Sequence, residues 1–282
     1  MGATMSMKTI LVPMECHAAG SVLKTALLLA RRCNSYMEGF ALGWQFTEFA
    51  APDMVTPVPI DAAESKEEAK KARQIFESFM QTHNVTRSTK ATGSPSYGWL
   101  DEEAKGGSFV GSYGRVFDVI VMNRPDEHMT NQYNIAIMSG LFESGRPILL
   151  SPPAPPRQIA TNVLIAWNCS TEQARATALA MPLLQMADRV TVLTVIGGTA
   201  VQGPSAEQMI QCLQRNEIVA EPMSVKLDGR STGEAILATA QSLGCDLLIK
   251  GAYTQSRLRQ MIFGGATQQV MTNATLPVLL AN

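Results

Sequence analysis

The chain contains no apolar run approaching the roughly 20 residues that cross a bilayer, and residues 1–8 lack the basic flank and long apolar region of a secretory signal. A cytoplasmic protein without a membrane contact is therefore expected. An excess of charge of one sign is missing too. There are 23 basic and 24 acidic residues, a net charge of −1, which argues against a broad nucleic-acid footprint. Cysteine is sparse and unpatterned. Cys16, Cys33, Cys169, Cys212 and Cys245 are scattered and odd in number, as suits a reducing compartment better than a disulfide framework. His17, His83 and His128 lie far apart. Cys16-His17 has no companion ligands at metal-site spacing, so it is expected to be a small residue in a solvent-facing turn. No Gly-x-Ser-x-Gly elbow is present. Gly106 and Gly111 have phosphate-loop spacing, but Ser112-Tyr113 follows where Lys-Ser/Thr is needed, and the segment precedes its strand. Residues 106–114 are expected to form a flexible connection.

What the chain does contain is repetition. ILVPM at 10–14 is echoed by VLIAW at 163–167, DVIVM at 118–122 by DLLIK at 246–250, and PILLS at 147–151 by PVLLA at 277–281. The blocks keep their order with unequal spacing. That excludes a short-period solenoid and implies a duplicated domain. The length suits two domains of about 140 residues, each long enough to bury a core. Residues 151–157 hold four prolines in seven positions, a stiff connector. The domains are expected at 1–151 and 157–282.

In the first half, short apolar runs at 8–14, 37–44, 118–122 and 147–151 predict strands. A further strand is expected near 85–91, followed by a turn at Gly93-Ser94-Pro95 and a short helix. Helical spacing predicts helices over 18–32 and 62–82, the second with Ala69, Ala72, Ile75, Phe76 and Phe79 on its apolar side. The proline-bearing segment 46–61 between them is expected to be irregular. In the second half, strands are predicted at 162–167, 189–196, 223–227, 246–250 and 277–281. Capping-box patterns at Ser170/Gln173, Ser205/Gln208 and Ser231/Glu234 mark three helix starts. The first helix runs to about Met186 with a kink at Pro182, Gly244 stops the third, and a last helix spans 264–273. Regular β-α alternation implies an α/β fold with a parallel sheet covered on both faces. Ligands of such sheets sit at the carboxyl ends of the strands.

The sharpest chemical signal is GAYTQSRLRQMIFGGAT at 251–267, directly after Lys250. Gly264-Gly265 opens a helix, where free N–H groups and the aligned peptide dipoles favour an anion such as phosphate. Arg257 and Arg259 add charge to the loop. In the bland alternative, Gly251 merely ends a strand and Gly264-Gly265 merely turns the chain into a helix.

These segments, with NVLIAWNCS at 162–170 and GRSTGEAILATAQSLGCDLLIK at 229–250, resemble the universal stress protein family. The resemblance covers nearly all of the second half. In the first half it is confined mainly to 8–14, 118–125 and 147–151. It implies a tandem member with two five-stranded parallel sheets of order 3-2-1-4-5, helices on both faces, of the adenine nucleotide alpha hydrolase-like type. Final strands of two family domains commonly pair across a dimer interface, so 147–151 and 277–281 are expected to make an intrachain pseudodimer; a homodimer is a further expectation.

The family's nucleotide-binding branch carries Gly-x-x-Gly, nine residues, then Gly followed by Ser or Thr. Gly251 and Gly264 match the first and third glycines. Thr254 replaces the second, and Gly265 stands where the hydroxyl residue would be. Asn168 replaces an Asp that meets the nucleoside, and Trp167 is a stacking or a core residue. The resemblance thus implies ATP or another adenine nucleotide, Mg²⁺ accompanying ATP, with its base near Ala166, Trp167, Asn168 and Val195. Its phosphates would lie beside Lys250, Gly251, Thr254, Gly264, Gly265 and Ala266. The first half reads Pro13-Met14-Glu15-Cys16-His17 at the first position and Asn123-Arg124-Pro125-Asp126 at the loop. No Gly-Gly pair opens its next helix, where Gly140 stands alone, so this half is expected to pack and not to bind.

The expected function is a stress-responsive binding module with no committed activity. The rival readings are an interaction protein with vestigial pockets and a slow ATPase or adenylating enzyme. No carboxylate lies in 251–267 to serve the latter chemistry. Electron transfer through a flavin has only sheet architecture in its favour.

Overall fold

A computed structural model of the chain describes residues 7–16, 19–43, 62–89, 93–100, 103–125, 130–252 and 265–282, with backbone alone at 62–64. Among the described residues, eleven strands form one sheet. They are β1 (Thr9–Met14), β2 (Tyr36–Ala41), β3 (Thr86–Arg87), β4 (Ser96–Trp99), β5 (Val119–Asn123), β6 (Ile148–Ser151), β7 (Asn162–Ala166), β8 (Arg189–Ile196), β9 (Ala220–Lys226), β10 (Leu247–Gly251) and β11 (Val278–Ala281). Their order across the sheet is β3-β4-β2-β1-β5-β6-β11-β10-β7-β8-β9. Every pairing between these strands is parallel except β6 with β11.

The antiparallel seam joins the two repeated halves. Leu149 is opposite Leu279, Ile148 opposite Leu280 and Leu150 opposite Val278. The matched blocks PILLS and PVLLA therefore meet about a local two-fold at their central leucines, as the pseudodimer expectation required. The second half runs β9-β8-β7-β10-β11, the order 3-2-1-4-5. The first half shows the same order only when β4 is taken as its third strand, with β3 added outside it. This corrects the expectation of one strand at 85–91 followed by a turn and helix: residues 96–99 pair with β2, and 86–87 form a two-residue edge.

The central strands are apolar on both sides because both sides are covered. One core holds Ile10, Val12, Val163, Ile165, Leu247 and Ile249; the opposite one holds Leu11, Ile120, Leu164, Leu248 and Leu280. The first is closed by α1 (Ala19–Cys33), α2 (Ala62–Thr82), α5 (Thr171–Leu179), α6 (Met181–Leu184) and α7 (Ala206–Gln214). The second is closed by α3 (Ser108–Tyr113), α4 (Asn131–Glu143), α8 (Thr232–Ser242) and α9 (Ala266–Asn273). No helix among the described residues is long and apolar enough to cross a membrane.

One aspartate in each half braces the start of its first strand. Asp118 Oδ2 accepts the amides of Lys8 and Thr9 at 2.7 and 2.9 Å, and Asp246 Oδ1 accepts those of Thr161 and Asn162 at 2.8 and 3.0 Å. The halves also grip each other beyond the seam. The Arg32 guanidinium, at the end of α1, donates to Ala160 O at 3.0 Å and to Met186 O.

Several local expectations change. Within 106–114, Ser108–Tyr113 form helix α3, followed by a 3-10 turn at Gly114–Val116. The glycines of this segment serve close packing: a Cβ on Gly107 would lie 2.4 Å from Gln132 O, and one on Gly111 2.8 Å from Ser139 O. Gly140 is well inside α4, not at its start. The helix expected to run to Met186 breaks at Ala180, and Pro182 sits in the first turn of α6, where a missing N–H costs nothing. Ile75 of α2 is exposed, and Met80 takes its place in the core. Strand β9 begins at Ala220, three residues ahead of the expected start.

Candidate functional site

The carboxyl edge of the second-half sheet is assembled by helix starts. Ser205 and Gln208 form a full capping box at α7, and Ser231 and Glu234 another at α8. At α5 only half of the expected box forms. Ser170 Oγ accepts the Gln173 amide at 3.1 Å, but the Gln173 side chain turns inward and its Oε1 accepts the Gly251 amide at 2.7 Å. Burial explains the difference, since Gln173 is almost wholly enclosed and the Gly251 N–H has to be satisfied.

A recess opens between β7, β8 and α8. It is lined by Ala166, Trp167, Asn168, Val195, Thr232 and Ile236, with further residues of 193–200. The four residues expected around a base are thus brought together. Trp167 proves to be a core residue: it is buried, and its Nε1 donates to Pro204 O at 2.9 Å. Asn168 Oδ1 accepts the Ser170 amide at 3.2 Å, while its NH₂ has no hydrogen bond among the described residues. The recess holds about 30 Å³. Drug-sized ligand pockets run to roughly 300–1,000 Å³, so the recess as it stands admits water and no purine.

One strand over, β10 carries Lys250 on the same side of the sheet, beside Leu248 and facing α9. Lys250 is buried. Its Nζ donates to Thr267 Oγ1 at 2.9 Å and to Gly251 O at 2.8 Å. Gly265 caps α9 with φ +97° and ψ −168°, a conformation open essentially to glycine. The amides of Ala266 and Thr267 follow it in the first turn, at the positive end of the helix dipole. An ammonium and a helix N-terminus of like polarity converge here, which favours an anion between them.

Gly251 is held from the α5 side. Its N–H is taken by Gln173, and a Cβ there would lie 2.4 Å from Gln173 N and 2.6 Å from the Glu172 carbonyl carbon. The absent side chain makes room for α5. Thr254, Gly264, Arg257 and Arg259 lie outside the described residues.

Comparison with known proteins bears on this edge directly. The model of the universal stress protein family matches residues 160–282. The second half of this chain belongs to that family. A curated relative, universal stress protein Slr1230 of Synechocystis sp., is 29% identical over 170 residues. That match spans 58% of this chain and 57% of the relative, so the chain covers little more than half of its length. A universal stress protein from Archaeoglobus fulgidus superposes with a TM-score of 0.66 at 14% identity, covering 97% of this chain and 98% of that one. A putative universal stress protein from Pseudomonas aeruginosa does so at 0.51 and 15% identity, covering 99% and 95%. At such identities the likeness is one of fold: the α/β arrangement of universal stress proteins extends over the whole length.

The universal stress protein half gained residues that motif reading had not singled out: Thr232 and Ile236 in the recess, and Thr267 as the partner of Lys250. The Ser231/Glu234 capping box was the available signal for Thr232, because it fixes the start of α8 at the sheet's carboxyl edge.

The first half fills the equivalent corner with its own side chains. Asn123 stands at the position of Gly251, and its amide donates to the hydroxyl of the buried Tyr133. Thr130 caps α4, accepting the Tyr133 amide at 3.2 Å, and its hydroxyl donates to the Glu15 carboxylate. Cys16, expected in a solvent-facing turn, is half-buried and donates to Glu68 O at 3.3 Å. Burial, with Glu68 adding to it, pushes its thiol up to about 12.

Proposed function

We propose that this chain is a tandem universal stress protein whose second half, 157–282, binds an adenine nucleotide as its phosphate anion, while the first half, 1–151, is a packing partner. The observation that carries the reading is the convergence of Lys250, Thr267 and the Gly265-capped start of α9 one strand away from the recess at Ala166–Asn168 and Val195. Family membership of the second half supports a stress-related role. The base would enter at Ala166, Asn168 and Val195, with Asn168 offering NH₂ donors where the family's nucleotide binders have an acceptor. The phosphates would lie by Lys250, Gly265 and Ala266, with Thr254 and Gly264 from the intervening loop, and Mg²⁺ would accompany ATP. The Gly251 amide is assigned to Gln173 and not to phosphate.

Thermal unfolding with and without millimolar ATP and Mg²⁺ tests the reading. A ligand at 100 times its dissociation constant stabilises the native state by about 2.7 kcal/mol. Lys250→Met keeps the side-chain length and removes the charge, so it should abolish the shift for ATP while leaving the fold. No shift in the unaltered protein favours the second reading, an interaction protein with vestigial pockets, which the small volume of the recess supports.

A further inference from the structure

The segment between β8 and α7, residues 197–204, crosses the mouth of the recess and is stitched down at three places. The Val201 amide donates to Asn168 O at 3.1 Å. Pro204 O accepts both Trp167 Nε1 at 2.9 Å and Cys169 Sγ at 3.1 Å. On the α8 side, the Thr199 amide reaches Thr232 Oγ1 at 3.4 Å, a long contact. Thr199 and Ala200 themselves form part of the lining.

We propose that this strap is a gate, and that the recess admits a purine only when the strap lifts away from Asn168 and Thr232. The proposal rests on the nucleotide reading and adds how the site is controlled. Three observations carry it. The closed recess, at about 30 Å³, is far below the volume of a ligand pocket. The strap is exposed along its length apart from Gly198, so it buries little apolar surface and opens at small cost. Its ends contain glycines that permit rotation and close seating: Gly197 adopts φ +81°, and a Cβ on Gly203 would lie 2.8 Å from Cys169 Cβ. Ile196 just ahead of the strap and Val201 within it are two of the large apolar side chains turned to solvent. They supply apolar surface to close over a base.

A disulfide lock tests the gate. A Cβ on Gly198 would lie 3.2 Å from Thr232 Cγ2, so Gly198→Cys with Thr232→Cys brings the new Cβ against the side chain it is to be bonded to, and mass spectrometry confirms that the disulfide forms. Cys212, the exposed native thiol, is replaced by serine in this variant. Binding of ATP with Mg²⁺ should be weaker by about tenfold or more in the oxidised variant than in the same protein after reduction. Amide hydrogen exchange on the unaltered, ligand-free chain provides a second measurement that needs no variant. The Val201 amide should exchange about 100-fold faster than the Trp167 amide, which donates to Leu193 O at 2.9 Å within the sheet. Equal ATP affinity in the oxidised and reduced forms, or a Val201 amide as protected as that of Trp167, overturns the gate alone. ATP binding to neither the reduced variant nor the unaltered protein overturns the nucleotide reading, and the gate with it.

Discussion

Gln173 Oε1 accepts the Gly251 amide at 2.7 Å, and the hydrogen bond ties the first turn of α5 to the last residue of β10. Both residues are buried, so the bond replaces water that cannot reach Gly251. Gln173→Leu would leave that N–H unsatisfied and should destabilise the fold by about 1–3 kcal/mol. Gly251→Ala should cost more, because the new methyl meets the backbone of α5 and no flexible side chain can yield. Urea unfolding without nucleotide measures both. A Gly251→Ala protein of unaltered stability that has lost only ATP binding would return this glycine to the phosphate site.

The β6–β11 seam makes its own demand. Residues 157–282 alone would present β11 as an unpaired apolar edge carrying Val278, Leu279 and Leu280. Such an edge pairs with whatever strand is offered. Given the local two-fold at Leu149 and Leu279, a copy of β11 is expected to take the place of β6. The isolated second half should therefore form a dimer in light scattering at micromolar concentration. A stable, soluble monomer would contradict this account of the seam.

The alternation of elements was legible because it rests on strong local signals, apolar runs at 118–122 and 246–250 and capping residues at 205 and 231, whereas the seam was expected from the family resemblance. Glycine misled where it served packing. Gly107 and Gly111 read as looseness but seat α3 against α4. Strand β4 was obscured because SYGW follows a turn signal and contains a glycine, and its identity comes from pairing with β2. The recess was half legible. Ala166, Asn168 and Val195 were expected from the family resemblance, whereas Thr232 and Thr267 come from helices brought in by tertiary packing.

Alkaline pH should loosen the fold. Burial, reinforced by neighbouring carboxylates, raises Cys16 to about 12 and Cys245 to about 11, from an ordinary thiol value of 9.0. Tyr36 and Tyr113 are also raised, by burial and then by donating to the shared Glu38 carboxylate. In each case the unfolded chain releases its proton first. The stability linked to these groups is therefore fully present below pH 9 and is lost as pH rises from there toward 11 and 12. Urea midpoints should be flat from about pH 7 to 8.5 and fall beyond it. Replacing Tyr36 and Tyr113 with phenylalanine should flatten part of that fall.

The two halves should differ in ligand stoichiometry. In the second half, Lys250 donates to Thr267 at the positive end of the α9 dipole, and on the nucleotide reading this is where phosphate is held. In the first half, the hydroxyl of Tyr133 satisfies the Asn123 amide, and the Glu15 carboxylate meets the Thr130 cap of α4. A carboxylate at a helix N-terminus already supplies the negative charge that the helix dipole favours, and it would repel a phosphate brought beside it. Titration calorimetry should therefore find one ATP site per chain. Tyr133→Phe should not add a second. It should cost about 1–3 kcal/mol in urea by stranding the Asn123 amide, and it leaves Glu15 in place. A stoichiometry of two in the unaltered protein would mean that Tyr133 and Glu15 move aside for ligand, and that the first half is a working copy.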